Sequence, residues 1–247
     1  MREVVLKIKR SEPSVSSVTR FDEFKVPVEE GMVVLDAVHY VEQHMDPTLG
    51  VRWNCKAARC GSCAAEINGK PKLMCKTRVD SIGEKITIEP MHAFPVVKDL
   101  VTDVSHNFEI AKKIPAFTPK KDAPSPLIMQ QTDIMRSKEF RTCIECFLCQ
   151  DVCHVIREHH SDYVGPKHVV KIASLDMHPI DGIDRSNFLH SGGGLGFCDI
   201  TKCCQEICPE GIRITDDAII PEKERVVDQV FDPIGRLVHR IRGSRWQ

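Results

Sequence analysis

Twelve cysteines in 247 residues fall into three tight groups, and their spacing is where this sequence could do chemistry. The first group is Cys55, Cys60, Cys63 and Cys75, spaced C-x4-C-x2-C-x11-C. Three thiolates on one tight loop, with a fourth from a following segment, can wrap a small iron–sulfur cluster. This is the spacing of plant-type 2Fe-2S loops. Gly61 lies inside the loop, where a missing Cβ lets the backbone approach inorganic sulfide. Lys56 and Arg59 either offset the charge of an anionic cluster or are solvated loop charges. Zinc is the rival occupant, but structural zinc favours paired C-x2-C half-sites, and this group holds a single such pair.

The second group, Cys143, Cys146, Cys149 and Cys153, is a C-x2-C-x2-C-x3-C run. In bacterial runs of this kind the first three thiolates hold one cluster and the fourth serves a neighbouring cluster. A partner run is therefore expected. Cys198, Thr201, Cys204 and Cys208, followed by Pro209, supply it at the same spacing, with Thr201 where the second cysteine belongs. Cys143, Cys146 and Cys149 with Cys208 give four thiolates, enough for a 4Fe-4S cubane. Cys153, Cys198 and Cys204 give three. A cubane short of one ligand tends to lose that iron, so a 3Fe-4S cluster is expected there. Cys203 is left over, either as a rescuing fourth ligand or as a buried free thiol. The second reading is preferred, because its side chain is expected to point away from that of Cys204. Three clusters of different type in one chain make a wire, and no catalytic base or nucleophile is needed in it.

Composition narrows the setting. Lys+Arg of 34 against Asp+Glu of 35 gives a net charge of −1, which argues against a non-specific nucleic-acid binder. A chain 42% hydrophobic and 28% charged is globular. No apolar run approaches the ~20 residues needed to cross a bilayer. The start, MREVVLKIKR, has neither an apolar signal core nor an Arg/Ser-rich presequence. A cytoplasmic chain is expected, and there clustered cysteines bind metal or do redox chemistry and seldom pair as disulfides.

The elements that must position these groups divide the chain. Residues 4–8 and 21–28 alternate apolar and polar as half-buried strands do. Residues 32–45 are helix-like, with Val33, Ala37, Tyr40, Val41 and Met45 near a 3.6 period. Residues 64–67 followed by Asn68-Gly69 read as a strand entering a tight hairpin, and 85–89 as a short strand before Pro90. Residues 114–126 hold Pro115, Pro119, Pro124 and Pro126 and read as an extended connector. Beyond it helices are expected over 132–141, opened by Thr132 as cap, over 167–175, and over 222–240, broken near Asp232-Pro233 and Gly235. The expected fold is α+β, with a 2Fe-2S domain over 1–105, a connector over 106–130 and a helical dicluster domain over 131–247. Gly192 to Gly196 (GGGLG) follows no strand and carries no Lys-Ser/Thr, so it fails as a phosphate loop. It reads as a flexible approach to Cys198.

The set CKAARCGSC…C, CIECFLCQDVC and CDITKCCQEICPEGI, with PVVKDLVTD at 95–103, resembles the iron–sulfur subunit of succinate dehydrogenase and fumarate reductase over nearly the whole chain. The resemblance implies an N-terminal plant-ferredoxin-like β-grasp domain and a C-terminal all-helical bacterial-ferredoxin-like domain. It implies a flavoprotein partner with covalent FAD and the dicarboxylate site, and a membrane anchor with the quinone site, often with haem. Electrons from succinate would pass FAD, 2Fe-2S, 4Fe-4S, 3Fe-4S and then quinone, or run in reverse for fumarate. The chain would lie peripherally on the cytoplasmic side of the cell membrane, held through the anchor. Ubiquinone-linked members carry Pro after the last cysteine of the second run, Trp five residues past it, and His after the first cysteine of the third run. Here those places hold His154, Glu158 and Asp199, so the quinone contacts are not assigned. CIEC with REHHSDYVGPKHVVK is more similar to the menaquinone-linked branch, whose anchor is a single five-helix, two-haem subunit. A relay in another flavoenzyme and a soluble multicluster ferredoxin are the alternatives.

Other residues have two readings each. His159 and His160 either join a proton path near the third cluster or lie at the surface or against the anchor. Arg236, His239, Arg240, Arg242, Arg245 and Trp246 form a basic tail that either meets anionic headgroups or the anchor, or is a solvated helix end. Met91, Phe94 and Phe108 read as core or subunit-interface residues.

Overall fold

The computed structural model describes residues 2–12, 14, 16–159 and 162–233, so His160 and the basic tail from Arg236 to Trp246 lie outside the described residues. Two compact units form, one of residues 1–106 with 144–152, the other of 107–143 with 153–247. The helices in chain order are α1 (Val34–His44), α2 (Ser105–Lys113), α3 (Gln131–Lys138), α4 (Leu148–Asp151), α5 (His154–Glu158), α6 (Pro166–Asp176), α7 (Cys203–Ile207) and α8 (Ile220–Val226).

The first unit is built on a five-stranded mixed sheet. Strand β1 (Arg2–Glu12) pairs antiparallel with β2 (Ser16–Val28). The others are β3 (Ala64–Ile67), β4 (Lys70–Leu73) and β5 (Lys85–Glu89), and the order is β2-β1-β5-β3-β4. β1 runs parallel to β5, with Leu6 opposite Ile86. The period-2 pattern of β1 has its physical cause in this sheet, because Val4, Leu6 and Ile8 all point into one core. Leu35, Val38 and Val41 of α1 are fully buried in the same unit. The Asp36 carboxylate accepts the Val33 N–H at 3.3 Å, satisfying a donor at the start of α1. Asn68 and Gly69 take φ of 50° and 72°, the left-handed pair that a two-residue hairpin between β3 and β4 requires.

Residues 95–103 form a small ribbon of β6 (Val96–Lys98) and β7 (Val101–Thr102). Buried Asp99 holds it. Its carboxylate accepts the N–H groups of Ser11 at 3.0 Å and Gly50 at 2.8 Å, and lies 3.0 Å from Arg10 Nε.

In the second unit the β structure among the described residues is a bridge between Pro119 and Asp181. That bridge, with Lys120 N–H to the Ile180 carbonyl and Gly182 N–H to the Thr118 carbonyl, both at 2.8 Å, fastens the proline-rich connector. Fully buried Arg185 completes the fastening. It donates to the carbonyls of Pro115 at 2.9 Å and Ala116 at 3.2 Å, and pairs with Asp176 at 2.6 Å and Asp181 at 2.7 Å. The extended connector read from sequence is bound to the unit over residues 115–120.

Two helix readings are corrected. Thr132 lies inside α3, whose cap residue is Gln130, with no side-chain cap bond. The last helix begins at Ile214, not near Glu222. Pro221 fixes φ and lacks an N–H. Here the chain passes it by widening to a π-helical turn over Ile214–Ile219 before α8, the usual accommodation of a helix defect. The run widens again over Val227–Phe231 and stops at Asp232, before Pro233.

Glu222 is fully buried beside Asp176 and Arg225, with Arg225 Nε at 3.8 Å. Burial pushes its carboxyl up to about 8, Arg225 pulls it back and Asp176 pushes it the same way as burial. The fold therefore holds this group neutral, and the unfolded chain binds fewer protons at mid pH. Its contribution to stability is full below the ordinary carboxyl value and is lost as pH rises through about 8. Denaturant midpoints measured between pH 5 and 8.5 should fall with pH, and Glu222→Gln should flatten that slope. Arg185→Leu, which strands buried carboxylates, should cost about 3–5 kcal/mol in the same assay.

Candidate metal centres

All twelve cysteines lie among the described residues, and none forms a disulfide. The first group sits on the loop from α1 to β3 and at the end of β4. Lys56, Ala58 and Gly61 have φ of 52°, 53° and 69°. Left-handed residues alternating with right-handed ones turn successive N–H groups to one side and make a concavity for an anion. Cys55 Sγ accepts the N–H groups of Ala57 at 3.3 Å and Arg59 at 3.4 Å. Cys63 Sγ accepts that of Cys75 at 3.5 Å. The four predicted positions are brought together, with Cys60 bonded to Cys55 and Cys63 near both Cys75 and Cys60.

Electrostatics splits the four. Burial pushes the Cys63 thiol up to about 12. Burial also works against the Cys60 thiolate, but hydrogen bonds with Cys55 and Ser62 outweigh it and bring that thiol down to about 6. Lys56 lies 3.8 Å from Asp36 and 5.0 Å from the centre of the Trp53 ring, so its ammonium is engaged with neighbours of the loop. Gly61 is required by packing: a Cβ there would sit 2.6 Å from Cys146 Cα, a closer constraint than the sulfide approach expected from sequence.

The second and third groups share one backbone design. Glu145 and Phe147 have φ of 54° and 61°, and Ile200 and Lys202 have 63° and 65°. Each pair stands two and four residues after the first cysteine of its run, so the duplication read from spacing extends to the backbone. Thr201 occupies the place in the third run that Cys146 occupies in the second. Cys146 and Cys149 belong to the first unit, and Cys143 and Cys208 to the second.

Cys153, Cys198 and Cys204 all lie in the second unit. Burial pushes Cys153 up to about 11 and Cys204 up to about 12, and the other thiols of this group add to both shifts. Thr215 lies 3.5 Å from Cys204 Sγ, and the adjacent Gln205 accepts the N–H groups of Thr215 and Asp216 at 3.0 and 3.1 Å. Gln205 thus caps the last helix and fixes Cys204 against it. Cys203 is half-buried, at the start of α7 beside Cys204, and accepts the Thr201 hydroxyl at 3.4 Å.

Sequence reasoning missed two features here. Tyr163 is buried beside Cys198, Cys153 and Cys204, and burial followed by those thiols drives its hydroxyl well above the usual range, so it keeps its proton. No local pattern marks it. His154 Nε2 and Asp199 Oδ2 are 2.9 Å apart. These two residues were noted separately as departures, yet they form one pair linking the residues that follow Cys153 and Cys198. His159, at the end of α5, is exposed. Met91 and Phe94 are core residues, whereas Phe108 is exposed.

Gly192 to Gly196 is not a flexible approach. Gly193 accepts the Val164 N–H at 3.0 Å, and a Cβ on Gly194 would lie 1.6 Å from the Asp162 carbonyl oxygen. This is a close crossing of two backbones just ahead of Cys198.

Among the described residues no group of three or more His, Cys, Asp or Glu closes around a single metal ion. The donors are thiols alone, on loops with inward-turned amides and left-handed residues. That set fits anionic iron–sulfur clusters and not hard cations.

One plant-type cysteine loop and a duplicated pair of cysteine runs in one chain define a multicluster iron–sulfur protein. Residues 5–109 match the 2Fe-2S iron-sulfur cluster binding domain family and residues 139–212 the 4Fe-4S dicluster domain family. The chain is 32% identical over 222 residues to the fumarate reductase iron-sulfur subunit of Mycobacterium tuberculosis, covering 86% of this chain and 88% of that one. It is 29% identical over 208 residues to the succinate dehydrogenase iron-sulfur subunit of Bacillus subtilis, covering 78% and 81%. A chain of the Mycobacterium smegmatis Sdh1 complex in the apo form superposes with a TM-score of 0.89 at 51% identity, covering 94% of this chain and 98% of that chain. The chain belongs to the family of iron–sulfur subunits of succinate dehydrogenase and fumarate reductase, electron-transfer subunits of an oxidoreductase.

The glycine crossing gives a direct test. Gly194→Ala should lower stability by about 3 kcal/mol or more, whereas Gly196→Ala, with nothing within 4 Å of its Cβ, should change it by less than about 0.5 kcal/mol. Thermal midpoints of the two variants measured side by side would decide.

Proposed function

We propose that this chain is the electron relay of a membrane-bound succinate:quinone oxidoreductase, working between a flavoprotein subunit with FAD and a membrane anchor with quinone, with or without haem. The carrying observation is a plant-type loop in one chain with a duplicated cysteine run in which Thr201 replaces one ligand. The proposed ligands are Cys55, Cys60, Cys63 and Cys75 for 2Fe-2S, then Cys143, Cys146, Cys149 and Cys208 for 4Fe-4S, and Cys153, Cys198 and Cys204 for 3Fe-4S. When bound, the clusters supply one-electron carriers whose potentials depend on cluster type, charge and hydrogen bonds to sulfur. The chain's own part is to hold the thiolates, donate the N–H groups of Ala57, Arg59 and Cys75 to sulfur, and keep water from buried Cys63, Cys153 and Cys204.

The proposed partition is a β-grasp 2Fe-2S domain over 1–105, a connector over 106–130 and a helical dicluster domain over 131–247. The sheet order, with parallel β1 and β5, supports the first. Among the described residues no helix is long and apolar enough to cross a membrane. Attachment through the anchor, on the cytoplasmic side, is the reading consistent with that. The His154–Asp199 pair supports placement near the menaquinone-linked branch, since it replaces both the Pro and the His of the ubiquinone-linked pattern.

Electron paramagnetic resonance on the purified membrane complex tests the assignment. The oxidised protein should show a 3Fe-4S signal, and its absence overturns the ligand count. Thr201→Cys should convert that signal toward a 4Fe-4S cluster. Cys203→Ser should leave the iron content unchanged, and loss of a cluster would make Cys203 a ligand. Isolation as a lone soluble carrier, without a flavoprotein, would favour a soluble multicluster ferredoxin.

A further inference from the structure

A cavity of about 360 Å³ opens in the second unit, and no cysteine lines it. Its size suits a small ligand. Its lining combines the basic side chains Arg141, Lys171 and His178 with the apolar Phe117, Leu127 and Ile180. Neither Arg141 nor Lys171 has a carboxylate partner among the described residues. His178 has a fixed hydrogen-bonding role. Its Nδ1 accepts the Ile180 N–H at 3.3 Å, which leaves the ring proton on Nε2 as a donor. Its ring stands edge-on to Phe117, with centres 4.9 Å apart. Burial, then the charge of Arg141, lowers its pKa, so the imidazole contributes a neutral N–H. Net positive charge therefore comes from the guanidinium and the ammonium, both on exposed residues. Leu127 and its neighbour Ile128 are exposed at 58% and 68%, which extends the apolar surface outward from the cavity.

Two exposed cations in a lining that is otherwise largely apolar complement a molecule with one anionic head and a hydrocarbon body. A purely polar anion would leave the wall wet, and a neutral hydrocarbon would leave the cations unanswered. We propose that this cavity binds an anionic amphiphile, a carboxylate with a short hydrocarbon body, its head on Arg141, Lys171 and His178 Nε2 and its chain against Phe117, Leu127 and Ile180. No proposed cluster ligand lines the site, and its test on the membrane complex rests on the proposed function.

Calorimetric titration of the intact complex in zwitterionic lipid discs, with octanoate, octanol and acetate as probes, tests it. Octanoate should bind saturably at one site per chain, at least tenfold tighter than octanol or acetate. The surface double variant Arg141→Gln/Lys171→Gln should weaken octanoate at least tenfold, and Leu175→Trp, which fills the cavity, should do the same. The visible absorbance of both variants reports that the complex is intact. Should Leu175→Trp fail to assemble, the surface double variant decides. No saturable binding, equal affinity for octanol, or octanoate binding that survives the double variant overturns the proposal.

Discussion

Backbone N–H groups turned toward sulfur are the constraint on which this molecule is organised. A cluster held by thiolates is anionic, and a loop that surrounds it must present donors inward from many directions. An ordinary right-handed or extended run cannot do so. The chain instead alternates handedness at Lys56 and Ala58, at Glu145 and Phe147, and at Ile200 and Lys202. Left-handed backbone costs an L-residue roughly 1–2 kcal/mol, and β-branched Ile200 is the most disfavoured of these residues. Such strain persists only where the surroundings over-determine it. They do so here through close backbone approaches at Gly61 and Gly194, where no side chain fits.

Burial has a second effect on the same sites. Cys63, Cys153 and Cys204 hold their protons well above neutral pH when left as thiols. Metal ligation needs thiolates, so loading these positions must release protons and exchanges a buried neutral group for a neutralised charge. Hydrogen bonds with Cys55 and Ser62 work the other way at Cys60 and bring its thiol down to about 6.

The three cysteine groups were legible in the sequence because their determinants are local. Cysteine spacing within one loop fixes which thiols can reach one cluster, and Asn68-Gly69 fixes a hairpin within four residues. The strands of the first unit followed from alternation that the sheet then used. What escaped has partners far along the chain. Nothing near Pro115 announces that its carbonyl belongs to Arg185. Tyr163 carries no pattern tying it to Cys198. His154 and Asp199 read as two unrelated departures until the fold sets them 2.9 Å apart. The helical turn ahead of Pro221 was missed because the wide turn over Ile214–Ile219 has no local pattern in the sequence. The glycine run misled for the same reason, since glycine signals mobility in isolation and dense backbone crossing in context.

Arg185 also bears on how the polypeptide can be dissected. Its guanidinium reaches back some seventy residues to the main chain of Pro115 and Ala116. A protease nick or an engineered breakpoint among the prolines between 115 and 120 would therefore sever part of a charged keystone, although the composition there looks like dispensable tether. The natural seam of the second half lies upstream of Pro115, and a fragment starting later carries an interior cation with two acceptors missing.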